Sequence, residues 1–239
     1  MNPTYFSIMS YHKKGDILKN TMNKLLSPSI LSADFNILGS NIECVEREGA
    51  DYLHIDVMDG SFVPSISFGM PVIKSIRGKS SLFFDVHLMI VDPVRYIKDF
   101  IEAGADGITF HLEADRDPER TIGLIHSEGK KAGIAINPET PLEELKDDII
   151  KLADMVLIMT VHPGFGGQSY IGECTEKIRI LRQRAEKLKP ELNIEVDGGI
   201  NKETIHTVLD AGANVIVMGS AVFGGDIAEN MKYYKKVLG

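Results

Sequence analysis

Two short stretches of the chain set acids and imidazoles two residues apart, His54-Ile55-Asp56-Val57-Met58 and Asp85-Val86-His87-Leu88-Met89, and a third, Ile194-Glu195-Val196-Asp197, ends in an acid. In extended backbone, successive side chains point to opposite faces. His54, Asp56 and Met58 therefore share one face of a strand, and Leu53, Ile55 and Val57 share the other. Asp85, His87 and Met89 oppose Phe84, Val86 and Leu88 in the same way, and Asp197 stands at a strand's carboxyl end. Two neutral imidazoles and two carboxylates, from His54, His87, Asp56 and Asp197, make a mixed nitrogen and oxygen donor set. Such a set suits one divalent cation, zinc first, with iron, manganese and cobalt as alternatives. Without a cation, Asp56 and Asp197 are like charges in a partly desolvated space, so one carboxyl pKa should rise sharply. His111 stands where spacing would also permit ligation, and spacing alone leaves that point open.

These side chains meet only if separate strands deliver them to one place. A recurring phrase shows how. Gly49-Ala50-Asp51, Gly104-Ala105-Asp106, Ala153-Asp154 and Gly212-Ala213-Asn214 each close a helix-like segment and open an apolar, β-rich run. The phrases stand roughly two βα units apart. Four further runs fall between them, giving eight strand candidates at 24–32, 52–60, 81–90, 107–113, 131–138, 155–161, 192–200 and 215–221. Asp92-Pro93, Asp117-Pro118 and Asn201 read as helix starts, and Thr140-Pro141-Leu142-Glu143 reads as a capping box. Leu38, Ile42 and Val45 stripe one face of the first helix. Strands alternating with helices imply parallel pairing through right-handed crossovers. Eight units in this length predict a single (β/α)8 TIM barrel of the α/β class over residues 22–239, with functional residues at the carboxyl ends of the strands. No dinucleotide-binding glycine pattern follows the first strand, which weakens an open doubly wound sheet.

At 239 residues, 44% hydrophobic and 25% charged, the chain can bury a sizeable core. Its formal charge of −8 argues against nucleic acid or an anionic membrane as partner. No run reaches the length of a membrane span. Cys44 and Cys174 lie far apart without metal or redox spacing, which fits a reducing, cytoplasmic setting. Residues 1–21 carry Lys13, Lys14, Asp16 and Lys19 but no apolar stretch of signal-peptide length, and read as an N-terminal extension without assigned role.

Glycines mark the other half of the predicted site. Gly164-Phe165-Gly166-Gly167-Gln168 follows the sixth strand, Gly198-Gly199 the seventh and Gly219-Ser220 the eighth. Glycine lets backbone N–H groups approach an oxyanion, and the loops after strands seven and eight often hold phosphate in such barrels.

From Ser27 to about Phe223 the chain resembles the ribulose-phosphate 3-epimerase family. The resemblance rests on PSILSADF (28–35), HIDVMDGSFVPSISFG (54–69), DVHLMI (85–90), ITFHLE (108–113), MTVHPGFGGQ (159–168), VDGGI (196–200) and GSAVF (219–223). It implies a metal on His54, Asp56, His87 and Asp197, with Asp56 and Asp197 also serving as the catalytic acid–base pair. It further implies that Ser29 touches substrate and that Met58, Met89 and Met159 line the reaction chamber. Gly164, Phe165, Gly166, Gly167, Gly198, Gly199, Ile200, Gly219 and Ser220 would surround the phosphate end, with His87 and Asp197 completing the substrate contacts. In the family, His111 is not a ligand. Ser61, Ser65 and Glu139 depart from residues frequent in the family, and Ser61 and Ser65, beside the metal strand, are expected to bear on substrate choice. The implied reaction is 3-epimerisation of D-ribulose 5-phosphate to D-xylulose 5-phosphate by two-aspartate proton transfer through a metal-stabilised enediolate. The alternatives are the same chemistry on allulose 6-phosphate or another ketose phosphate, and a barrel that binds sugar phosphate without catalysis. A homo-oligomer is the expected assembly.

Overall fold

The computed structural model describes residues 22–239, and the extension read at residues 1–21 lies outside the described residues. Eight parallel strands form one sheet: β1 (Leu25–Pro28), β2 (Tyr52–Met58), β3 (Phe83–Met89), β4 (Gly107–His111), β5 (Lys131–Ile136), β6 (Met155–Met159), β7 (Asn193–Asp197) and β8 (Val215–Met218). Hydrogen-bonded neighbours run β1-β8-β7-β6-β5-β4-β3-β2, so each strand but the two at the seam sits between its sequence neighbours. The seam between β1 and β2 is closed by a parallel bridge at Ser29 and His54 and by the Asp51 N–H on the Leu26 carbonyl at 3.0 Å. This is the (β/α)8 barrel predicted from the strand–helix alternation.

Helices α1 (Leu38–Arg47), α2 (Met70–Arg77), α3 (Ile97–Ala103), α4 (Pro118–Ser127), α5 (Asp147–Leu152), α6 (Cys174–Leu188), α7 (Ile205–Ala211), α8 (Ser220–Phe223) and α9 (Ile227–Leu238) form the outer layer. Two apolar cores result. The larger lies between strands and helices, where Leu53, Ile55, Val57, Phe84, Val86 and Leu88 pack with Ile42, Val45, Ile73, Ile97 and Phe100. Burying each such side chain is worth about 1.5–3 kcal/mol. Inside the barrel only small apolar groups remain, Met58 with Val63 and Met89, and Ala135 with Leu157, Met159 and Val161. Beside these and Val215 and Val217 of β8, the interior carries polar side chains such as His54, Asp56, Asp85, His87, Thr109 and Glu195. Among the described residues, no helix is long and apolar enough to cross a membrane.

Local signals succeeded where nothing distant competed. Asp117 caps α4, accepting the Arg120 N–H at 3.2 Å with Pro118 following it. Asn201 accepts N–H groups from Glu203 and Thr204 ahead of α7. Two starts differ from expectation. Asp92 adopts a left-handed conformation (φ 53°) and caps nothing with its side chain; Pro93 opens a 3-10 turn, and α3 begins only at Ile97. A following proline disfavours the right-handed helical region at Asp92, and aspartate tolerates the left-handed one. Thr140 does not form a capping box. Its hydroxyl donates instead to Glu113 on the loop after β4, and α5 starts at Asp147.

Candidate active site

Strand register decides which inward-facing groups stand side by side. In the β2–β3 ladder His54 lies level with Asp85, Asp56 with His87 and Met58 with Met89. On the far side Met159 of β6 lies level with Asp197 of β7. Between β2 and β7 stand two strands one way round the barrel and four the other, so Asp56 and Asp197 approach from nearly facing walls.

Side-chain atoms of His54, Asp56, His87 and Asp197 lie within 4.8 Å of one another. His54 Nε2 is 3.2 Å from Asp56 Oδ1 and 4.0 Å from Asp197 Oδ2, while His87 Nδ1 is 3.1 Å from Asp56 Oδ1 and 3.4 Å from His54 Nε2. Bonds of about 2.0–2.1 Å around a tetrahedron place ligand atoms about 3.3–3.4 Å apart, close to the three shorter separations here, with Asp197 standing wider at 4.0 Å. The imidazoles and Asp56 are buried and Asp197 is half-buried. Among the described residues, the close ionic partners of these carboxyls are histidines alone. A cluster of acids with no lysine or arginine against it fits a cation well.

The charges are arranged unevenly. Burial opposes the imidazolium of His54, yet Asp56 and Asp85 outweigh it and hold that group well above its usual range. Burial also works against the Asp56 carboxylate, but His54 and His87 hold its carboxyl far below the ordinary range. Asp197 goes the other way: burial first, then the charge of Asp56, push it up to about 7. His87 is drawn down, mainly by burial. Of the two carboxyls, then, Asp56 holds the negative charge and Asp197 holds a proton near neutrality.

Around this cluster opens a cavity of about 250 Å³, just below the size of typical pockets for drug-sized ligands. Ser29, Asp56, Met58, Met89, Met159 and Asp197 form its inner wall. Gly164, Phe165, Gly166 and Gly167 line one side of the mouth, with Gly198, Gly199, Ile200, Gly219 and Ser220 on the other. His54 and His87 lie behind the wall. Ser29 Oγ donates to Asp56 Oδ2 at 2.6 Å. The β7 loop is tight enough to demand glycine: Gly198 has φ 116°, and a Cβ there would come 2.3 Å from Val161. Among the described residues no lysine or arginine lines the cavity, so an anion at the mouth would rest on backbone amides and hydroxyls.

Neither Ser61 nor Ser65 lines this cavity. Ser61 borders a separate groove, and its N–H is held by Asp59 Oδ1 at 2.8 Å, while the Ser65 carbonyl accepts from Gly60. His162 is exposed, with Nδ1 2.6 Å from Glu139 Oε1. Several lining residues escaped the sequence reading, among them Ser32, Val161, Gln168, Ser169 and Asn201. Ser32 and Gln168 fall inside stretches already singled out, so loop membership was the available signal. Also missed was a second acidic layer beneath the first. Asp85 Oδ2 is 2.8 Å from His54 Nδ1, and Glu195, fully buried, has both carboxyl oxygens without a hydrogen bond. Burial and Asp85 hold Glu195 well above the usual carboxyl range. Its position two residues before Asp197, on the same inward face, was the signal that could have found it.

Residues 25–223 match the model of the ribulose-phosphate 3 epimerase family. The ribulose-phosphate 3-epimerase of Bacillus subtilis is 52% identical over 203 residues, covering 83% of this chain and 92% of that protein. That of Synechocystis is 50% identical over 203 residues, covering 84% and 88%. The chloroplastic ribulose-5-phosphate-3-epimerase of Arabidopsis thaliana is 46% identical over 214 residues, covering 88% and 76%. Among solved structures, a variant of the tryptophan synthase alpha-subunit of Pyrococcus furiosus superposes with a TM-score of 0.64 at 18% identity, covering 91% of this chain and 98% of that one. Thiamine phosphate pyrophosphorylase from Pyrococcus furiosus gives 0.61 at 19%, covering 90% and 95%. At such identities the structural likeness speaks for the barrel alone.

Proposed function

The chain belongs to the ribulose-phosphate 3-epimerase family and is an isomerase, and from that premise we propose that it interconverts D-ribulose 5-phosphate and D-xylulose 5-phosphate using Asp56 and Asp197 as its proton-transfer pair. One observation carries the mechanism: two carboxyl groups with opposed proton affinities face one cavity from strands on nearly opposite walls. Environments that push two such pKa values apart assign one group as base and the other as acid.

Epimerisation at C3 removes a proton from one face and returns one to the other. Asp56, ionised and held by the Ser29 hydroxyl, would take the C3 proton, and the C–H electron pair would move into a C2–C3 enediolate. Asp197, in molecules where it carries a proton, would deliver it to C3 from the opposite face. Configuration inverts, nothing is oxidised, and the pair ends with its proton on the other aspartate, ready for the reverse reaction. Because the two titrate together, their pH dependence belongs to the pair. Positioned acid–base action supplies about 10²–10⁴-fold. His54 through Nε2, His87 through Nδ1, Asp56 and Asp197 would hold a divalent cation, with zinc, iron, manganese and cobalt all suited to the donor set. When bound, such a cation supplies positive charge against the negative charge that builds on the substrate oxygens, worth several kcal/mol.

Met58, Met89 and Met159 shape the inner wall with flexible thioethers that add no charge. The glycine-bearing loops after β6, β7 and β8 would hold the phosphate end, consistent with the absence of basic side chains there. Turnover of ribulose 5-phosphate measured beside allulose 6-phosphate tests the assignment. The pentulose should be preferred at least tenfold in kcat/KM, and equal or inverted rates overturn the substrate reading.

A further inference from the structure

His111 is the buried imidazole that the reading above leaves without a task. It is fully buried at the end of β4, and its ring stacks on His87 with centroids 5.0 Å apart. Its Nε2 lies 2.9 Å from His87 Nε2, and its Nδ1 lies 3.2 Å from Glu113 Oε2. Glu113 is itself pinned. Its other oxygen, Oε1, accepts the Asn137 N–H at 2.8 Å and the Thr140 hydroxyl. Lys177 Nζ then donates to the carbonyls of Asn137, Pro138 and Thr140 at 2.7–3.0 Å, which fixes the loop that supplies those donors.

Two ring nitrogens at 2.9 Å cannot both carry hydrogen. A cation held by His87 Nδ1 needs a lone pair on that atom, which places the hydrogen on Nε2 of the neutral ring. His111 Nε2 must then accept, so its own hydrogen sits on Nδ1 and points at Glu113. The donors therefore run in one direction from the ligand to the Glu113 carboxylate, which can only accept and is held from its other side by the Asn137 N–H and the Thr140 hydroxyl. We infer that His111 and Glu113 are positioning residues, which fix the tautomer and the orientation of His87 so that its Nδ1 faces the metal site.

This inference rests on the metal reading of the His54, Asp56, His87 and Asp197 cluster. Glu113→Gln is the sharp perturbation because it keeps volume and shape. Asn137 N–H and the Thr140 hydroxyl claim the amide oxygen, which turns the NH2 group toward His111 Nδ1 and opposes two donors. Outer partners of ligating histidines typically change metal affinity by about 10–100-fold. Zinc affinity of the full chain, measured by competition with a chromophoric chelator, should fall by that factor in Glu113→Gln and in His111→Leu. Where His111→Leu does not fold, Glu113→Gln decides alone. Long-range ¹H–¹⁵N spectra of the zinc-loaded wild type should show His111 protonated at Nδ1 and not at Nε2, a signature that a merely space-filling histidine need not give. Zinc affinity within threefold of wild type in folded Glu113→Gln, or a His111 proton on Nε2, overturns the inference while leaving the metal site intact. A wild-type chain that takes up no zinc overturns the metal reading and this inference with it.

Discussion

Metal uptake by the metal-free chain should be steeply coupled to protons, and the slope follows from the site's own charges. A ligand must be deprotonated before it binds, so each proton still held at the working pH is released on binding. Asp197, pushed up to about 7 by burial and by Asp56, holds a proton below that pH. His54, kept well above its usual range by Asp56 and Asp85, is drawn toward its protonated form. Asp56 is already ionised, and His87, drawn down by burial, is already neutral. The sign is therefore fixed: affinity rises with pH. Below pH 7 a proton from Asp197 should leave with each cation, and any proton on His54 leaves in the same direction. Each decade is 1.36 kcal/mol, so two pH units below 7 cost about 3 kcal/mol through Asp197 alone, a hundredfold in affinity, and His54 acts in the same direction. Calorimetric titration with zinc in buffers of different ionisation enthalpy counts the protons directly. A count near zero at pH 6, or an affinity that changes less than threefold from pH 5.5 to 7.5, would refute the assignment of these four groups as one coupled ligand set.

Asp197→Asn should lower turnover by at least about 10²–10⁴-fold, since it removes a positioned proton donor, while phosphate binding persists by calorimetry; near-normal turnover would refute the two-carboxylate scheme. Turnover in heavy water should place deuterium at C3 of the product, read by mass spectrometry or NMR, and inversion without label would exclude exchange through Asp56 and Asp197. Gly198→Ala should destabilise the fold by more than about 1 kcal/mol, because a Cβ at φ 116° would come 2.3 Å from Val161. A melting temperature unchanged from wild type would show that the β7 loop relaxes freely.

Much of this molecule was written locally. The eight strands could be read from apolar runs preceded by a glycine or its equivalent, because a helix end and a strand start each impose residue types over a few positions. Period-two alternation told which face of β2 and β3 carried the acids and imidazoles, and the barrel's two cores divide along that line. Two-residue spacing also sufficed to nominate His54, Asp56, His87 and Asp197. What alternation cannot tell is which residue of one strand lies level with which residue of the next. Register comes from the tilt and stagger of the closed sheet, a property of all eight strands together. Hence Asp85 was seen as an inward acid but not as the partner of His54. For the same reason Thr140 looked like a cap from its own neighbours, while its hydroxyl answers to Glu113 on another loop.

The outer partners of the two histidines show what that stagger achieves. His54 and His87 stand on adjacent strands and turn different ring nitrogens toward the same centre, Nε2 from one and Nδ1 from the other. Each therefore needs a hydrogen-bond acceptor on a different side. For His54 it is Asp85, supplied by β3 at the same level of the ladder. For His87 the partner comes from β4, where Thr109 stands level with it and donates to Asp85, and His111, two residues further along, meets its Nε2. The negative charge lies further outward on Glu113, where the Asn137 N–H and Thr140 hydroxyl can satisfy it. An imidazole relays the hydrogen-bond direction without adding charge to an interior that already holds Asp56, Asp85, Glu195 and Asp197. On the proposed metal reading, that separation of direction from charge accounts for a histidine and a glutamate two residues apart in ITFHLE: the first would orient a ligand, and the second would keep its anion toward the rim.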